Sequence, residues 1–211
     1  MNFAVFTVGP FAENTYLVSG KEQAVIIDPG FSNESEFSRF RNLVESSGLI
    51  PNSVLLTHAH VDHLLGLSRL LKEWSIPVYL SHKDLYLWEN VSGQGALFGM
   101  EASGFSFLPE PLPETDSFRL GAFEMNLLYT PGHSPDHTSI YFKQEGVVVA
   151  GDTLFKESIG RTDLYKGDFA TLERSIREKL YTLPDETRIL PGHGPETTVG
   201  YEKKRNAFVK G

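Results

Sequence analysis

The chain has 211 residues, 40% of them hydrophobic, with 19 Lys and Arg against 27 Asp and Glu for a formal charge of −8, and no cysteine. That length suffices for one well-buried αβ domain, the lack of cysteine excludes a disulfide framework, a thiol nucleophile and thiolate metal ligands, and the negative charge opposes a nucleic-acid backbone at long range. No apolar run reaches the roughly 20 residues of a membrane span. The first positively charged side chain is Lys21, so no basic region precedes an apolar leader, and the reading is a cytoplasmic protein with neither nucleic-acid nor membrane partner.

Phe3–Val8, Thr15–Val18 and Ala24–Asp28 read as strands, the last closed by the turn pair Pro29-Gly30. A helix follows with Asn33 as N-cap, Glu36 three residues on, Phe37, Phe40 and Val44 along its apolar face and Gly48 as its stop. Ser53–Leu56 is strand-like and runs into Thr57-His58-Ala59-His60-Val61-Asp62-His63, after which a helix from His63 to Trp74 is expected to anchor the segment through Leu64, Leu67, Leu71 and Trp74. Val91–Leu108, rich in Gly and Phe, and the proline-rich Pro109–Pro113 read as a long irregular loop. It is either a surface excursion with its aromatics tucked inward or a lid or wall of a substrate pocket. The second half repeats the pattern of the first, with strands at Glu124–Tyr129, Ser139–Phe142 and Gly146–Ala150. Its helix begins near Asp168, buries Phe169, Leu172, Ile176 and Leu180, and stops before Pro184. No linker, low-complexity tract or repeat divides residues 1–211, so a single domain is expected.

The chemistry is concentrated in His58, His60, Asp62 and His63. Neutral imidazole and carboxylate are ligands that borderline divalent metals accept, and a cluster this dense is costly to bury without an ion to orient it. On a segment leaving a strand, period-two alternation sends His58 and His60 to one side, while Asp62 and His63 turn toward a neighbouring position. One short segment can therefore serve two adjacent metals, but four residues cannot complete two coordination shells. Three further turns each follow an apolar strand with a polar residue: His133 in Thr130-Pro131-Gly132-His133, Asp152 in Gly151-Asp152-Thr153, and His193 in Pro191-Gly192-His193-Gly194.

Taken in this order, from Ile26-Ile27-Asp28-Pro29-Gly30 to His193, these motifs resemble the metallo-β-lactamase-fold hydrolases over essentially the whole chain. Thr130–Pro135, Gly151–Phe155 and Ser158-Ile159-Gly160-Arg161-Thr162-Asp163-Leu164 are similar to the small bacterial glyoxalase II-like branch of hydroxyacylglutathione hydrolases. The resemblance implies an α/β fold with αββα sandwich layers. It implies one metal held by His58, His60 and His133, a second held by Asp62, His63 and His193, and Asp152 bridging them. Zinc is the expected ion, with iron or manganese as alternatives, and the two ions together would hold a bridging hydroxide near neutral pH. The implied reaction is thioester hydrolysis, a thiolate leaving group suiting a borderline-soft metal, with Asp62 also placed to move the proton.

The remaining residues carry lesser roles. Asp28 is expected to orient a ligating imidazole or to serve the turn, because such rings donate their other N–H to a carboxylate or carbonyl. His137 is expected to order the His133 loop, and His82 to lie at the surface. Arg161 matches a substrate carboxylate through its guanidinium fork, or else pairs with Asp163 or Asp168. Full-length glyoxalase II enzymes continue into a helical domain, which is not expected here with 18 residues after His193, and Lys203, Lys204 and Arg205 read as a solvated basic tail or a partial replacement for its thiol-binding cations. Lys156-Glu157-Ser158 and Leu164-Tyr165-Lys166-Gly167 depart from many small relatives beside the pocket, which leaves the thiol open. A mononuclear iron persulfide dioxygenase, which resembles this chain in its Gly-Arg-Thr-Asp segment, is the main alternative, and a lactonase or other ester hydrolase is the third. The expected partner is a small-molecule thioester, and the assembly a monomer or small homo-oligomer.

Overall fold

The computed structural model describes residues 1–113 and 117–211. They form two compact units, Met1–Leu112 with Leu120–Phe123, and Pro113–Arg119 with Glu124–Gly211.

In the first unit β1 (Asn2–Val8), β2 (Glu13–Gly20) and β3 (Gln23–Ile27) pair antiparallel. The helix α1 (Glu34–Ser46) then returns the chain so that β4 (Ile50–Leu55) runs parallel to β3, with Ile27 opposite Leu55. Asn33 caps α1 by accepting the Glu36 N–H at 3.0 Å, Phe37, Phe40 and Val44 are its buried face, and Gly48 ends it at φ +61°, the left-handed conformation a helix C-terminus favours. β1 is largely half-buried or exposed, whereas the last four residues of β3 are all buried, as befits a central strand covered on both faces.

The helix expected from His63 starts later. Val61–His63 is a single 3-10 turn and α2 occupies Leu67–Glu73. Gly66 explains the break: its N–H donates to the Pro29 carbonyl at 2.8 Å, and a Cβ there would lie 2.5 Å from the Phe31 ring. The chain is thus pinned against the turn that follows β3 before it can become helical. Leu67 and Leu70 are the buried pair of α2 and Leu71 is only half-buried, a one-residue shift from the expected face. Trp74 stands edge-on to Phe37 and Phe40 of α1, at ring separations of 6.0 and 6.2 Å.

After β5 (Val78–Leu80) comes the short helix α3 (Tyr86–Glu89), and the segment expected to be irregular from Val91 begins with a second short helix, α4 (Val91–Leu97). Its Gly95 serves close approach. A Cβ on Gly95 would stand 2.7 Å from the Met100 carbonyl and 2.8 Å from Ala102 Cβ. The aromatics collect on Trp88, which stacks on Phe105 at 4.5 Å and meets Phe107 edge-on at 5.5 Å. The strand β6 (Glu110–Pro111) closes the sheet beside β5.

The second unit is built on a sheet whose strands, given in chain order, are β7 (Phe118–Leu120), β8 (Phe123–Tyr129), β9 (Thr138–Phe142), β10 (Val147–Gly151), β13 (Arg188–Pro191) and β14 (Thr197–Thr198). The small hairpin β11 (Leu154–Phe155) and β12 (Ser158–Ile159) lies between β10 and α5 (Phe169–Ser175) in the chain. As in the first unit, a helical crossover makes two strands parallel: α5 and its π-helical continuation Ile176–Leu180 bring β13 beside β10. Leu172, Ile176 and Leu180 are fully buried, each contributing about 1.5–3 kcal/mol of apolar burial. Phe169, expected inside, is 45% exposed, because it is the first residue after the N-cap Asp168 and precedes the buried stripe. The chain after His193 is ordered: α6 (Val199–Arg205) contains the basic triplet, and Lys203 pairs with Asp185 at 2.6 Å. No helix among the described residues is long and apolar enough to cross a membrane.

Candidate metal centre

Each unit presents its donors at the carboxyl end of a parallel strand pair, the edge where α/β sheets place ligands. In the first unit Asp28 leaves β3 beside Thr57 and His58, which follow β4. Asp28 adopts φ +50°, uncommon for a residue with a side chain. Its carboxylate is buried and accepts the Thr57 N–H at Oδ1 (2.8 Å) and the Thr57 hydroxyl at Oδ2 (2.6 Å). With its only hydrogen so used, Thr57 Oγ1 accepts from His58 Nδ1–H at 3.0 Å. That fixes the His58 tautomer and leaves its lone pair on Nε2, which lies 3.0 Å from His60 Nδ1. His63 Nδ1 lies 3.1 Å from Asp28 Oδ2 and 3.8 Å from Glu13 Oε1, and these carboxylates favour the proton on Nδ1, which leaves the lone pair on Nε2. Asp62 Oδ2 is 4.0 Å from that nitrogen. Asp28 therefore orients two imidazoles, one through Thr57 and one directly.

Glu13 and Thr57 belong to this arrangement and were not anticipated. Glu13 is fully buried and accepts the Thr15 hydroxyl at 2.9 Å. Burial pushes its carboxyl well above the usual carboxylate range, against an opposing pull from His63. Gly30 makes room for it, since a Cβ there would lie 2.1 Å from Glu13 Oε2 and 2.6 Å from the Asp62 carbonyl. In the sequence Glu13 follows the turn Gly9-Pro10-Phe11-Ala12 and looks like an exposed strand end. The one available signal for Thr57 was a hydroxyl directly before a ligand-type histidine.

In the second unit β10 and β13 end side by side, with Gly151 opposite Pro191 and the Gly192 N–H donating to the Gly151 carbonyl at 2.8 Å. Asp152 and His193 follow these ends, and His133 lies in the loop between β8 and β9. Asp152 Oδ2 is 3.5 Å from His133 Nε2 and 3.5 Å from His193 Nε2. Two ligands bound tetrahedrally at 2.0–2.1 Å to one ion stand roughly 3.3–3.4 Å apart, so this carboxylate is spaced to share a cation with either ring. His133 donates its Nδ1–H to the Arg161 carbonyl at 2.8 Å, which turns Nε2 toward Asp152. Gly160 permits that contact: a Cβ there would sit 1.9 Å from the Asp152 carbonyl.

His137 ties the loop that carries it to Asp152 and to neighbouring threonines. Its Nε2 accepts the Asp152 backbone N–H at 3.0 Å, and its Nδ1 faces the hydroxyls of Thr130 and Thr153 at 2.9 and 3.1 Å. Arg161 engages Asp163 through Nε and Nη2 at 2.6 and 2.7 Å, with more than half of its side chain exposed. The hydrogen bonding from Arg161 draws the Asp163 carboxyl down to about 2. Of the two roles considered for Arg161, the ion pair is the one formed here, and its carbonyl adds a role in holding His133. His82 meets the Pro109 carbonyl at 2.9 Å, away from the donors.

The profile of the metallo-β-lactamase superfamily matches residues 8–193. A probable metallo-hydrolase of Bacillus subtilis, YqgX, is 40% identical over 215 residues, covering 100% of this chain and 99% of the relative. The hydroxyacylglutathione hydrolase GloC of Haemophilus influenzae is 36% identical over 213 residues, covering 99% and 98%. Among solved structures, the BLEG-1 B3 metallo-β-lactamase is 36% identical with a TM-score of 0.92 over 100% of both chains, and TTHA1623 in a di-iron-bound form is 39% identical with a TM-score of 0.87 over 98% and 100%. The chain belongs to the metallo-β-lactamase superfamily and has its mixed α/β fold, sheets flanked by helices, with His and Asp side chains suited to a metal. It is a metal-dependent hydrolase of that family.

Proposed function

We propose that the two sets of donors act as one dinuclear centre, with His58, His60 and His133 around one divalent ion, Asp62, His63 and His193 around the other, and Asp152 between them, and that the centre hydrolyses thioesters of the hydroxyacylglutathione type. The observation that carries this reading is the Asp152 carboxylate, with one oxygen at equal distance from His133 and His193. The fixed tautomers of His58 and His63 add lone pairs where ions need them. Zinc fits the N and O donor set, and iron is supported by the di-iron relative. When bound, the ions supply a nucleophilic water at neutral pH and polarise the acyl carbonyl.

The chain's residues then have separable tasks. Asp28 and Thr57 hold the imidazoles in their ligating tautomers. His137 and Gly160 fix the backbone of Asp152, and Asp62, partly exposed on its turn, takes the proton of the added water's O–H as the tetrahedral intermediate collapses and the thiolate leaves. Small-molecule thioesters are the substrates, and the reading places the enzyme in the cytoplasm. The thioester assignment draws on the GloC relative. Assay of S-lactoylglutathione with and without oxygen tests it: equal rates and close to two metals per chain are expected. Oxygen consumption on glutathione persulfide with one iron per chain would replace hydrolysis with oxidation, and cleavage of a β-lactam alone would move the substrate class.

A further inference from the structure

We infer that Gln94 is a positioning residue for the metal-binding loop, holding the peptide groups on both sides of His60 with one carboxamide. Gln94 lies on α4, in the Gly-Gln-Gly segment, and is 7% exposed. Its Oε1 accepts the Val61 N–H at 3.2 Å, and its Nε2 donates to the Ala59 carbonyl at 2.9 Å and to the Leu87 carbonyl at 2.8 Å. A carboxamide offers two N–H groups and one oxygen, and here both N–H groups and the oxygen are engaged. The partners decide its orientation: carbonyls stand on the nitrogen side and an N–H on the oxygen side, so the flipped amide would face like against like.

The residue between the two bracketed peptides is His60. Its backbone leaves the loop at φ −68°, ψ 145° and immediately enters the 3-10 turn Val61–His63, so the Val61 N–H is one of the donors that a helix N-terminus leaves without an internal acceptor. Gln94 supplies that acceptor. The same side chain thus fixes the direction in which His60 projects and the start of the turn that carries Asp62 and His63. The third bond ties the bracket to the carbonyl of Leu87 on α3, whose neighbour Trp88 is wedged against Phe105 and Phe107. The close contacts of Gly95 with Met100 and Ala102 hold α4 near enough for the carboxamide to reach. The glycine-rich segment accordingly acts on the metal loop from behind, through packed backbone.

This inference rests on the proposed metal-binding role of His60 and His63. Its test compares Gln94→Leu, which removes all three bonds at similar volume, and Gln94→Glu, which keeps the acceptor for Val61 but sets an oxygen against two carbonyls. Zinc content and affinity are measured by elemental analysis and chelator competition, alongside thermal unfolding. Leu87→Ala is the control, because it loosens the same helix pair while leaving the backbone carbonyl in place. The expected result is a 10- to 100-fold loss of affinity for at least one zinc ion in both Gln94 variants, the range for groups that orient ligands, with a smaller loss in Leu87→Ala at an equal or greater drop in melting temperature. Affinity in Gln94→Glu equal to that of the wild type, or a loss in Leu87→Ala as large as in the Gln94 variants, would overturn the assignment. Wild-type protein that takes up no zinc, iron or manganese would instead overturn the metal centre itself.

Discussion

Asp28→Asn is the sharpest test of how the metal donors are set. The substitution conserves volume and tolerates the positive φ of +50°, since Asn is among the residues that adopt it readily. The Thr57 N–H still requires an acceptor at the Oδ1 position, so the new amide nitrogen takes the place of Oδ2, facing Thr57 Oγ1 and His63 Nδ1 at the present 2.6 and 3.1 Å. An N–H there reverses the Thr57 hydrogen bond and opposes a proton on His63 Nδ1. The Thr57 hydroxyl turns to donate to His58 Nδ1, which moves the His58 proton to Nε2, and His63 is forced into the same tautomer. Each ring then presents an N–H where an ion needs a lone pair. A loss of 10- to 100-fold in affinity per ion is about 1.4–2.7 kcal/mol each, and together about 3–5 kcal/mol if the two sites respond independently. Fold stability without metal should change by no more than about 1 kcal/mol, a shift of roughly 2–4 °C in Tm, because every buried group keeps a partner. Chelator competition measures the affinities, and nitrogen NMR of the histidine rings reads the tautomers directly. A variant that binds two ions with wild-type affinity, its His58 proton still on Nδ1, would refute the reasoning.

Asp152→Ala should leave at most one ion bound and reduce turnover by several orders of magnitude, read by elemental analysis and thioester hydrolysis. Gly160→Ala places a methyl group 1.9 Å from the Asp152 carbonyl, so a destabilisation of about 1–3 kcal/mol or more and weaker metal binding are expected by calorimetry and chelator titration. Arg161→Ala should raise KM with little effect on kcat, and Asp163→Asn, which releases the same guanidinium, should alter KM without loss of metal. Because the Asp163 carboxyl is held near 2, below its unfolded value, the ion pair's contribution is fully present above about pH 4 and is lost only as pH falls through 2. The KM ratio of wild type to Asp163→Asn should therefore be flat from pH 5 to pH 8.

The sequence by itself determined the donor types, their order and the strands that end in them. A motif as dense as His58 to His63 states its chemistry through composition, and apolar runs ending in Gly-Asp or Gly-His turns state where the donors emerge. It also located α1, because Asn33, the Phe37–Phe40–Val44 stripe and Gly48 are local signals that agree with one another. What it left open depended on contacts distant in the chain. The late start of α2 comes from Gly66 meeting Pro29 and Phe31, and α4 packs where Gly95 lies against Met100 and Ala102, so these two glycines are there for proximity. Glu13 and Gln94 carry no local mark of their roles. Their meaning is set by pairing β2 to β3 and by seating α4 behind the metal loop, which bring a buried carboxylate to His63 and a carboxamide to Ala59 and Val61. Periodicity and turn chemistry report the neighbours within a few residues. Which nitrogen of His63 keeps its lone pair is decided by Asp28 and Glu13, distant in the chain, and only the tertiary structure brings them together.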